Sequence, residues 1–222
     1  MKTNENYTKA ETEYFFTKDR ELIKKFIELR KDLYEKDESF RGFRIFSSVD
    51  NYEYYFRDTT KVLVVLKNGE CIGGGCFSYG EVDSSILPLQ YELSDKATYK
   101  KMLDIFPNLD LKEKICGEFT RVFLLPGYRN VRYFKNIIYT ILVSAVQSGV
   151  DYVFCMSDLT RARFYKIIMN SFGLPINLHL DIDVPTKEDY EGLKMYVMSF
   201  DLNKNLIKRK QLEKTALSEM YS

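Results

Sequence analysis

The segment VLVVLKNGECIGGGCF, residues 62–77, carries the strongest structural signal in the sequence. Two apolar runs, 62–66 and 71–77, flank Asn68 and Gly69. Asn-Gly between apolar runs is typical of a two-residue β-hairpin, because both residues of that turn need a positive φ. We therefore predict an antiparallel hairpin. The glycines at 73–75 lie inside its second strand, so they indicate a β-bulge or a close backbone approach rather than a phosphate-binding loop.

Helices and strands alternate along the rest of the chain, as the spacing of apolar residues indicates. Before the hairpin, an aromatic strand at 14–16 precedes a helix at 21–37, which Thr17 or Asp19 caps. The stretch 80–101, which contains Pro88, is predicted to be loop. The later elements are a strand at 115–125, a helix at 133–146 closed by Gly149, a strand at 151–156, a helix from Ser157 or Asp158 to about Phe172, and a strand at 194–202 preceded by a weaker one at 178–184.

This order predicts an α/β chain (mixed α+β in arrangement) with a central mixed sheet and helices on both faces. We expect one domain over residues 13–202, a flexible N-terminus over 1–12 and a basic, helical tail over 203–222. A hairpin followed by a strand–helix–strand–helix–strand series resembles the GNAT acyltransferase fold. A fold by itself does not fix a function.

Composition excludes several classes of protein. Hydrophobic residues make up 45% and aromatic residues 15% of the 222 residues, which is enough to bury a sizeable core. The 33 basic and 32 acidic residues give a formal charge of +1, so we expect neither a nucleic-acid partner nor a general attraction to membranes.

Cysteine and histidine usage is also informative. The four cysteines show no CxxC spacing and His179 is the single histidine, so no metal site is predicted. Sparse, unpatterned cysteines fit a reducing compartment. The sequence shows no signal peptide and no apolar run long enough to span a membrane, so we expect a soluble, cytoplasmic protein.

Four short motifs occur in the order and approximate spacing found in acyl-homoserine-lactone synthases, over about half of the chain. They are Arg30 with Tyr34 one helical turn later, followed by Phe40; Asp50-Asn51-Tyr52-Glu53, similar to D-x-[YF]-[DE]; MLDIFPNL at 102–109, similar to M-L-x-x-F-P-x-L; and Glu118-Phe119-Thr120-Arg121, similar to E-x-[ST]-R. The chain resembles this branch of the GNAT superfamily, which makes autoinducers for quorum sensing.

Three departures from that family affect the acceptor. The family's Arg-Leu and Pro-Thr after the hairpin are replaced by the run at 73–77, its Trp is Phe40, and the loop before Met102 is longer. The related N-acyl amino acid synthases share the fold and the acyl donor but use an amino acid as acceptor. Both S-adenosylmethionine and an amino acid therefore remain open as the acceptor.

The resemblance implies a set of site residues. The acceptor-binding residues would be Arg30, Tyr34, Phe40, Asp50, Glu53, Phe106 and Thr120. The catalytic residues would be Glu118, Arg121 and Tyr165, the last matching a tyrosine that many GNAT enzymes place near the leaving thiolate. The donor-binding residues would be Phe123, Leu125, Arg129, Asn130 and Arg132. Core packing explains Tyr165 equally well.

Physical chemistry supports part of this assignment. Formation of an amide needs a base that takes a proton from the attacking ammonium, and Glu118 in an apolar strand is the best candidate because His179 is badly placed. Strand alternation puts Glu118 and Thr120 on one face and Arg121 on the other. Arg30 lies in the apolar stripe of its helix and needs partners. A structural ion pair accounts for Arg30 as well as a binding role does.

The predicted donor loop, residues 125–132, keeps Arg129 but lacks the later glycine of an acetyl-CoA-binding GNAT loop. A phosphopantetheine carries one phosphate and needs fewer backbone donors. This favours acyl carrier protein over CoA as the source of the acyl thioester, with no tightly bound cofactor. The basic residues near the loop are Arg129, Arg132, Lys135, Arg161, Arg163 and Lys166, which suit either an acidic carrier or an ordinary solvated helix face.

We therefore predict an acyltransferase that joins a fatty acyl chain from acyl carrier protein to the α-amine of a small acceptor. Two alternatives remain open: an acetyl-CoA-dependent N-acetyltransferase, and a non-catalytic binding module on the same scaffold. The presence of Glu118 and Arg121 argues mildly against the second alternative. The sequence predicts neither the acyl chain length nor the oligomeric state.

Overall fold

The computed structural model describes residues 12–38, 52–82, 87–94, 100–185, 193–204 and 209–214. Within these ranges, seven strands form one sheet in the order β1-β2-β3-β4-β5-β7-β6. The strands are β1 (Thr12–Thr17), β2 (Thr60–Lys67), β3 (Glu70–Glu81), β4 (Ile115–Leu124), β5 (Tyr152–Asp158), β6 (Asn177–His179) and β7 (Met195–Asp201). The helices are α1 (Arg20–Lys36), α2 (Pro88–Glu92), α3 (Met102–Ile105), α4 (Val131–Gln147) and α5 (Leu159–Ser171), with 3-10 turns at Tyr52–Phe56 and Pro126–Tyr128, and residues 209–214 are helical as well. None of the helices in the described ranges is long and apolar enough to cross a membrane.

The predicted hairpin is confirmed. Strands β2 and β3 pair antiparallel, and the turn residues Asn68 and Gly69 have φ values of 52° and 79°. The predicted close approach is present as well. A Cβ atom on Gly74 would lie 2.0 Å from the carbonyl oxygen of Leu63, so no other residue fits there without a shift of β2.

Short polar side chains begin the three long helices. Asp19 accepts a hydrogen bond from the Leu22 amide at the start of α1, and Asn130 accepts one from the Tyr133 amide at the start of α4. Asp158 accepts bonds from two amides of the first turn of α5. These caps satisfy amides that have no partner within the helix. Gly149 follows α4 with φ of 69°, as predicted.

Alternation along the strands divides the core between two faces of the sheet. Leu63 and Val65 of β2 pack with α4 and α5 on what we call the α4 face. Val62 and Val64 pack with α1 on the opposite, α1 face. Helices α2 and α3 pack beside α1 on the same face, against Cys116, Phe154 and Val197 of the central strands. The predicted mixed sheet with helices on both faces is thus confirmed.

The stretch 80–101 differs from its prediction as loop, because it contains the five-residue helix α2. Leu87, Leu89 and Leu93 are almost completely buried against the sheet. Pro88 begins the helix, where its missing N–H costs nothing. A helix of about one turn shows too little periodicity for the sequence to reveal it.

Strands β4 and β5 run parallel but pair over three positions only, Cys116 with Tyr152, Gly117 with Val153 and Glu118 with Phe154. Strand β4 continues to Leu124 and β5 to Asp158. The two strands therefore no longer pair after Glu118, and we call the place between residues 119–124 and 155–158 the gap. This gap determines where the candidate site lies.

Candidate active site

Glu118 lies at the vertex of the gap between β4 and β5. Its side chain is 1% exposed, and its Oε2 atom accepts a hydrogen bond of 2.8 Å from the backbone N–H of Leu89 in α2. Burial raises the pKa of Glu118 from 4.5 to about 8, against the lowering effects of the Leu89 bond and the Arg121 charge. A carboxyl group with a pKa near neutral pH is suited to accept and release a proton during catalysis.

The prediction that Arg121 faces away from Glu118 is wrong, because β4 contains a bulge. Cys76 pairs with Thr120 and Gly74 with Phe123, so two residues of β4 stand opposite one residue of β3. Arg121 has φ of 56°, a left-handed conformation like that of the first residue of a G1 bulge. The extra residue shifts the alternation and turns Arg121 to the face of Glu118.

The contacts of Arg121 confirm that orientation. Its guanidinium lies 4.1 Å from the ring centroid of Tyr54, and its Nη1 atom donates a hydrogen bond of 2.9 Å to Oγ1 of Thr120. Beyond the bulge, Val122 packs towards the α4 face and Phe123 towards the α1 face. Glu118, Thr120 and Arg121 therefore share one face of β4, as a single site would require.

Arg30 joins this group from helix α1. Its side chain is 3% exposed, with its guanidinium 4.8 Å from the Tyr34 ring and its Nη1 atom 3.3 Å from the Tyr55 hydroxyl, to which it donates. The Arg121 guanidinium lies 5.7 Å from the same Tyr55 ring. Tyr55 thus lies beside two guanidinium groups that come from elements far apart in sequence. The structure brings Arg30, Tyr34 and Arg121 together.

Other predicted acceptor residues are placed differently. Phe40 and Asp50 lie outside the described residues. Glu53 is exposed to solvent. Phe106 is buried and packs on Phe154, with ring centroids 4.7 Å apart, and on the ring of His179 at 5.0 Å. Its contacts among the described residues therefore place it in the core beneath α2 and α3.

A network of buried hydroxyl groups was missed by the sequence reasoning. The Tyr54 hydroxyl lies 2.7 Å from Oγ of Ser78 and 3.5 Å from Oγ1 of Thr120. Ser78 also lies 3.1 Å from Oγ1 of Thr60. Ser78 is the direct partner of Glu118 across strands β3 and β4, so the network borders the carboxyl group. Burial raises the pKa of Tyr54, which keeps its hydroxyl neutral.

Tyr165 approaches the gap from helix α5 on the α4 face. Its ring packs edge-on against Phe119 with centroids 5.3 Å apart. Burial raises the pKa of Tyr165 far above its ordinary value, and the neighbouring Cys155 thiol and Tyr34 hydroxyl raise it further. Tyr165 is therefore a neutral hydroxyl donor. Cys155 is the first residue of β5 beyond the section that pairs with β4, and burial raises the pKa of its thiol.

The predicted donor residues are mostly engaged within the protein. Phe123 is buried against Phe26 of α1, and the amide of Leu125 donates to the carbonyl of Ile72. Arg129 donates to the carbonyl of Leu124 and forms an ion pair with Asp37 at the end of α1.

Two donor residues stand at the start of helix α4. Asn130 caps the helix through the Tyr133 amide. Arg132 is exposed. Among the predicted donor-binding residues, Arg132 is thus the charged side chain best placed to meet a partner.

Comparison with known proteins identifies the fold. No protein-family model and no curated protein sequence matches the chain. Solved structures do: the N-acyl amino acid synthase FeeM from uncultured soil microbes is 10% identical with a TM-score of 0.52, over 86% of this chain and 90% of that one. The CoA-dependent acyl-homoserine lactone synthase BjaI, with S-adenosylmethionine and isopentyl-CoA, is 12% identical with a TM-score of 0.53, over 93% and 89%. An acetyltransferase from Streptococcus agalactiae is 12% identical with a TM-score of 0.52, over 85% and 96%.

Identities this low establish the fold and not the activity. The fold is nonetheless the one that the hairpin, the late series of elements and the four motifs predicted. The chain shares the GNAT-like acyltransferase fold of the acyl-homoserine-lactone synthases and the N-acyl amino acid synthase FeeM.

Proposed function

We propose that this chain is an acyltransferase that forms an amide between an acyl chain, delivered as a phosphopantetheine thioester, and the amine of a small acceptor. The observation that carries the proposal is the position of Glu118. A buried carboxyl with a pKa of about 8 stands where β4 and β5 separate, on the same face as Arg121.

The reaction follows from these groups. Glu118 in its carboxylate form accepts a proton from the acceptor's ammonium, and the neutral amine attacks the carbonyl carbon of the thioester. The C–N bond forms, the C–S bond breaks, and the amide nitrogen loses its second proton. The thiolate leaves, accepts a hydrogen bond from the neutral Tyr165 hydroxyl, and takes up through solvent the second proton that the nitrogen releases.

The gap between β4 and β5 is the entry for the donor. Beyond Glu118 and Phe154 the two strands no longer pair with each other. A pantetheine arm carries two amide groups, which are suited to pair with exposed strand backbone as an added strand does. We propose acyl carrier protein as the source, supported by the exposed basic residues Arg132 in the first turn of α4 and Arg163 and Lys166 on α5. Acyl-CoA is the alternative source, which BjaI uses.

The acceptor is proposed to carry a carboxylate beside its amine. The guanidinium groups of Arg30 and Arg121 both lie next to Tyr55 on the face of Glu118. Guanidinium groups bind carboxylates through paired, charge-assisted hydrogen bonds. An amino acid and S-adenosylmethionine both fit this description, and FeeM and BjaI represent the two cases.

One experiment tests the proposal directly. The protein is incubated with acyl carrier protein and CoA thioesters of several chain lengths and with a pool of amino acids and S-adenosylmethionine, and products are identified by mass spectrometry. We expect an N-acyl product from the wild type and none above background from Glu118→Gln. Glu28→Gln, an exposed change on α1, is the matched control and should keep full activity. Wild-type turnover in Glu118→Gln would remove Glu118 as the base.

A second candidate is an N-acetyltransferase that uses acetyl-CoA. Phe119 and Tyr165 pack against each other beside the gap, and this favours a short acyl group over a long chain. Acetyl-CoA as the best donor at every salt concentration, with no product from acyl carrier protein, would support this candidate against the first.

A further inference from the structure

Arg121 occupies a backbone conformation that needs support from its surroundings. Its φ of 56° is one that residues with a Cβ rarely adopt, and β4 holds it there within a bulge. Such conformations persist where the surrounding contacts fix them, and they are concentrated at functional sites. The question is which contacts fix the Arg121 side chain.

Among the residues that the structure describes, the rings of Tyr54 and Tyr55 lie beside that side chain, and the ring of Tyr54 is the nearer of the two. The Arg121 guanidinium lies 4.1 Å from its centroid, compared with 5.7 Å for the ring of Tyr55. Stacking on an aromatic face fixes the plane of a guanidinium as well as its position. Tyr54 is 3% exposed, so solvent does not loosen this contact.

Tyr54 is itself anchored at its hydroxyl end. Its oxygen lies 2.7 Å from Oγ of Ser78, which is 3% exposed and also contacts Thr60. Ser78 stands directly opposite Glu118 in the pairing of β3 with β4. Side chains at directly opposite positions have Cβ atoms about 5 Å apart and share one face. The contacts therefore run from Ser78, the cross-strand neighbour of Glu118, through Tyr54 to Arg121.

We infer that Tyr54 is a positioning residue, which holds the Arg121 guanidinium at a fixed place beside Glu118 and is itself held by Ser78. The inference rests on the proposed function, because it assigns Glu118 the part of the base. Tyr54, which directly follows the motif at 50–53, thereby helps to set the proton affinity of Glu118.

Several groups around Glu118 shift its pKa, and Tyr54 acts on this pKa through one of them, Arg121. From β4, the charge of Arg121 lowers the pKa of Glu118; from α2, the Leu89 amide lowers it and Glu92 raises it. From β5, the Cys155 thiol faces the same carboxyl. Release of Arg121 from the Tyr54 ring lets its guanidinium move away from Glu118, which weakens the lowering contribution of Arg121, so we expect the pKa of Glu118 to rise.

The test measures this pKa directly, without using activity. Protein labelled with ¹³C at the glutamate carboxyls is titrated by NMR, and the Glu118 signal is assigned by its loss in Glu118→Gln. We expect Tyr54→Leu to raise the midpoint by about half a pH unit or more, and Tyr54→Phe and Ser78→Ala to raise it by less. Tyr14→Phe, on β1 at the far edge of the sheet, should leave it unchanged.

A double-mutant cycle distinguishes an effect of Tyr54 that acts through Arg121 from a general loosening of the core around Tyr54. In an Arg121→Gln background there is no guanidinium to position, so Tyr54→Phe should no longer move the midpoint. An equal shift in both backgrounds would overturn the inference, as would an unchanged midpoint in folded Tyr54→Leu and Tyr54→Phe. Folding is checked by circular dichroism.

Activity provides the second readout. The acid limb of the pH profile of kcat/KM should move upward in Tyr54→Phe, while KM for the acyl donor stays constant. If the NMR shift appears but the wild type forms no amide with any donor, the proposed function fails and the positioning role stands. If the wild type is active and the midpoint does not move, the positioning role fails alone.

Discussion

The two halves of β4 differ although they belong to one strand. Residues 115–118 pair with β3 on one side, and 116–118 also pair with β5 on the other, in regular alternation. Residues 119–124 pair with β3 alone and contain the bulge at Arg121. The proposed base stands at the boundary, and Thr120 and Arg121 stand in the irregular half. The bulge that turns Arg121 to the face of Glu118 therefore lies where β4 no longer pairs with a strand on both sides.

The irregular half depends on close packing from its other neighbour. Gly73 and Gly74 of β3 both have φ of 151° and bring the backbones of β2, β3 and β4 close together. A Cβ atom on Gly73 would lie 2.3 Å from the carbonyl oxygen of Phe123. The glycines therefore allow β4 to bulge without separating from β3.

The largest expected effect concerns Glu118 at the boundary. The pKa of Glu118 is raised from 4.5 to about 8 in the folded protein. Below pH 4.5 both folded and unfolded states hold the proton, so the stabilising contribution is fully present there. It is lost as the pH rises towards 8, because the unfolded state ionises first.

Urea unfolding of the wild type and Glu118→Gln between pH 4.5 and 8.5 measures this loss. The difference in free energy of unfolding between the two proteins should fall with pH by up to about 1.4 kcal/mol per unit. Gln keeps the hydrogen bond from Leu89 and cannot ionise, so it serves as the reference. A difference that stays flat across this window would contradict the raised pKa.

The next effect tests the packing that permits the bulge. We expect Gly74→Ala to lower the free energy of unfolding by about 2–3 kcal/mol, because its Cβ atom would overlap the carbonyl of Leu63. Gly127→Ala is the matched control, since a Cβ atom there meets nothing within 4 Å, and it should change stability by no more than about 1 kcal/mol. Equal effects from the two changes would show that β3 can shift to make room.

A smaller effect isolates the backbone strain at Arg121. Arg121→Ala and Arg121→Gly both remove the guanidinium and its contacts with Tyr54 and Thr120. Glycine tolerates a φ of 56° and alanine does not, so the glycine variant should be the more stable by about 1 kcal/mol. Thermal or urea unfolding of the pair measures the difference. A more stable alanine variant would mean that the bulge disappears with the arginine.

The regular parts of the molecule were predictable for local reasons. The hairpin turn followed from Asn68 and Gly69, and Asp19 and Asp158 were each one of two short polar candidates for a cap before apolar periodicity. Each of these signals lies within a few residues of the feature it specifies. The family motifs also led to Glu118, Arg121 and Arg30, which the structure brings to one face.

The features that were missed depend on distant parts of the chain. Alternation placed Arg121 on the wrong face, because the bulge arises from pairing with the glycines of β3. The link from Tyr54 to Ser78 joins residues 24 positions apart and depends on the register of β3. Helix α2 is stabilised by burial of leucines against the sheet and not by its own periodicity. A single sequence contains no local signal for any of these.

The smallest expected effect lies beyond the end of β4, at the start of α4. Arg129 was one candidate for contact with a carrier protein, but its ion pair with Asp37 makes any change there a change in stability as well. Arg132 is exposed, so Arg132→Glu is the cleaner probe. If the donor is an acidic carrier protein, this change should raise the apparent KM for acyl carrier protein a few-fold at low salt. The difference should shrink as salt rises, because attraction between exposed charges is screened beyond about 10 Å at ~0.1 M salt.

Two comparisons determine what the Arg132 result means. Lys24→Glu, an equal charge reversal at an exposed position of α1, should leave the KM unchanged, since steering acts through local charge and not through net charge alone. A short pantetheine thioester has no acidic surface, so its KM should be the same for the wild type and Arg132→Glu. An equal loss with both donors would assign Arg132 to the phosphate that they share. Arg132, in the first turn of α4, would then bind that phosphate. The protein would recognise the donor by its phosphopantetheine arm rather than by its carrier protein.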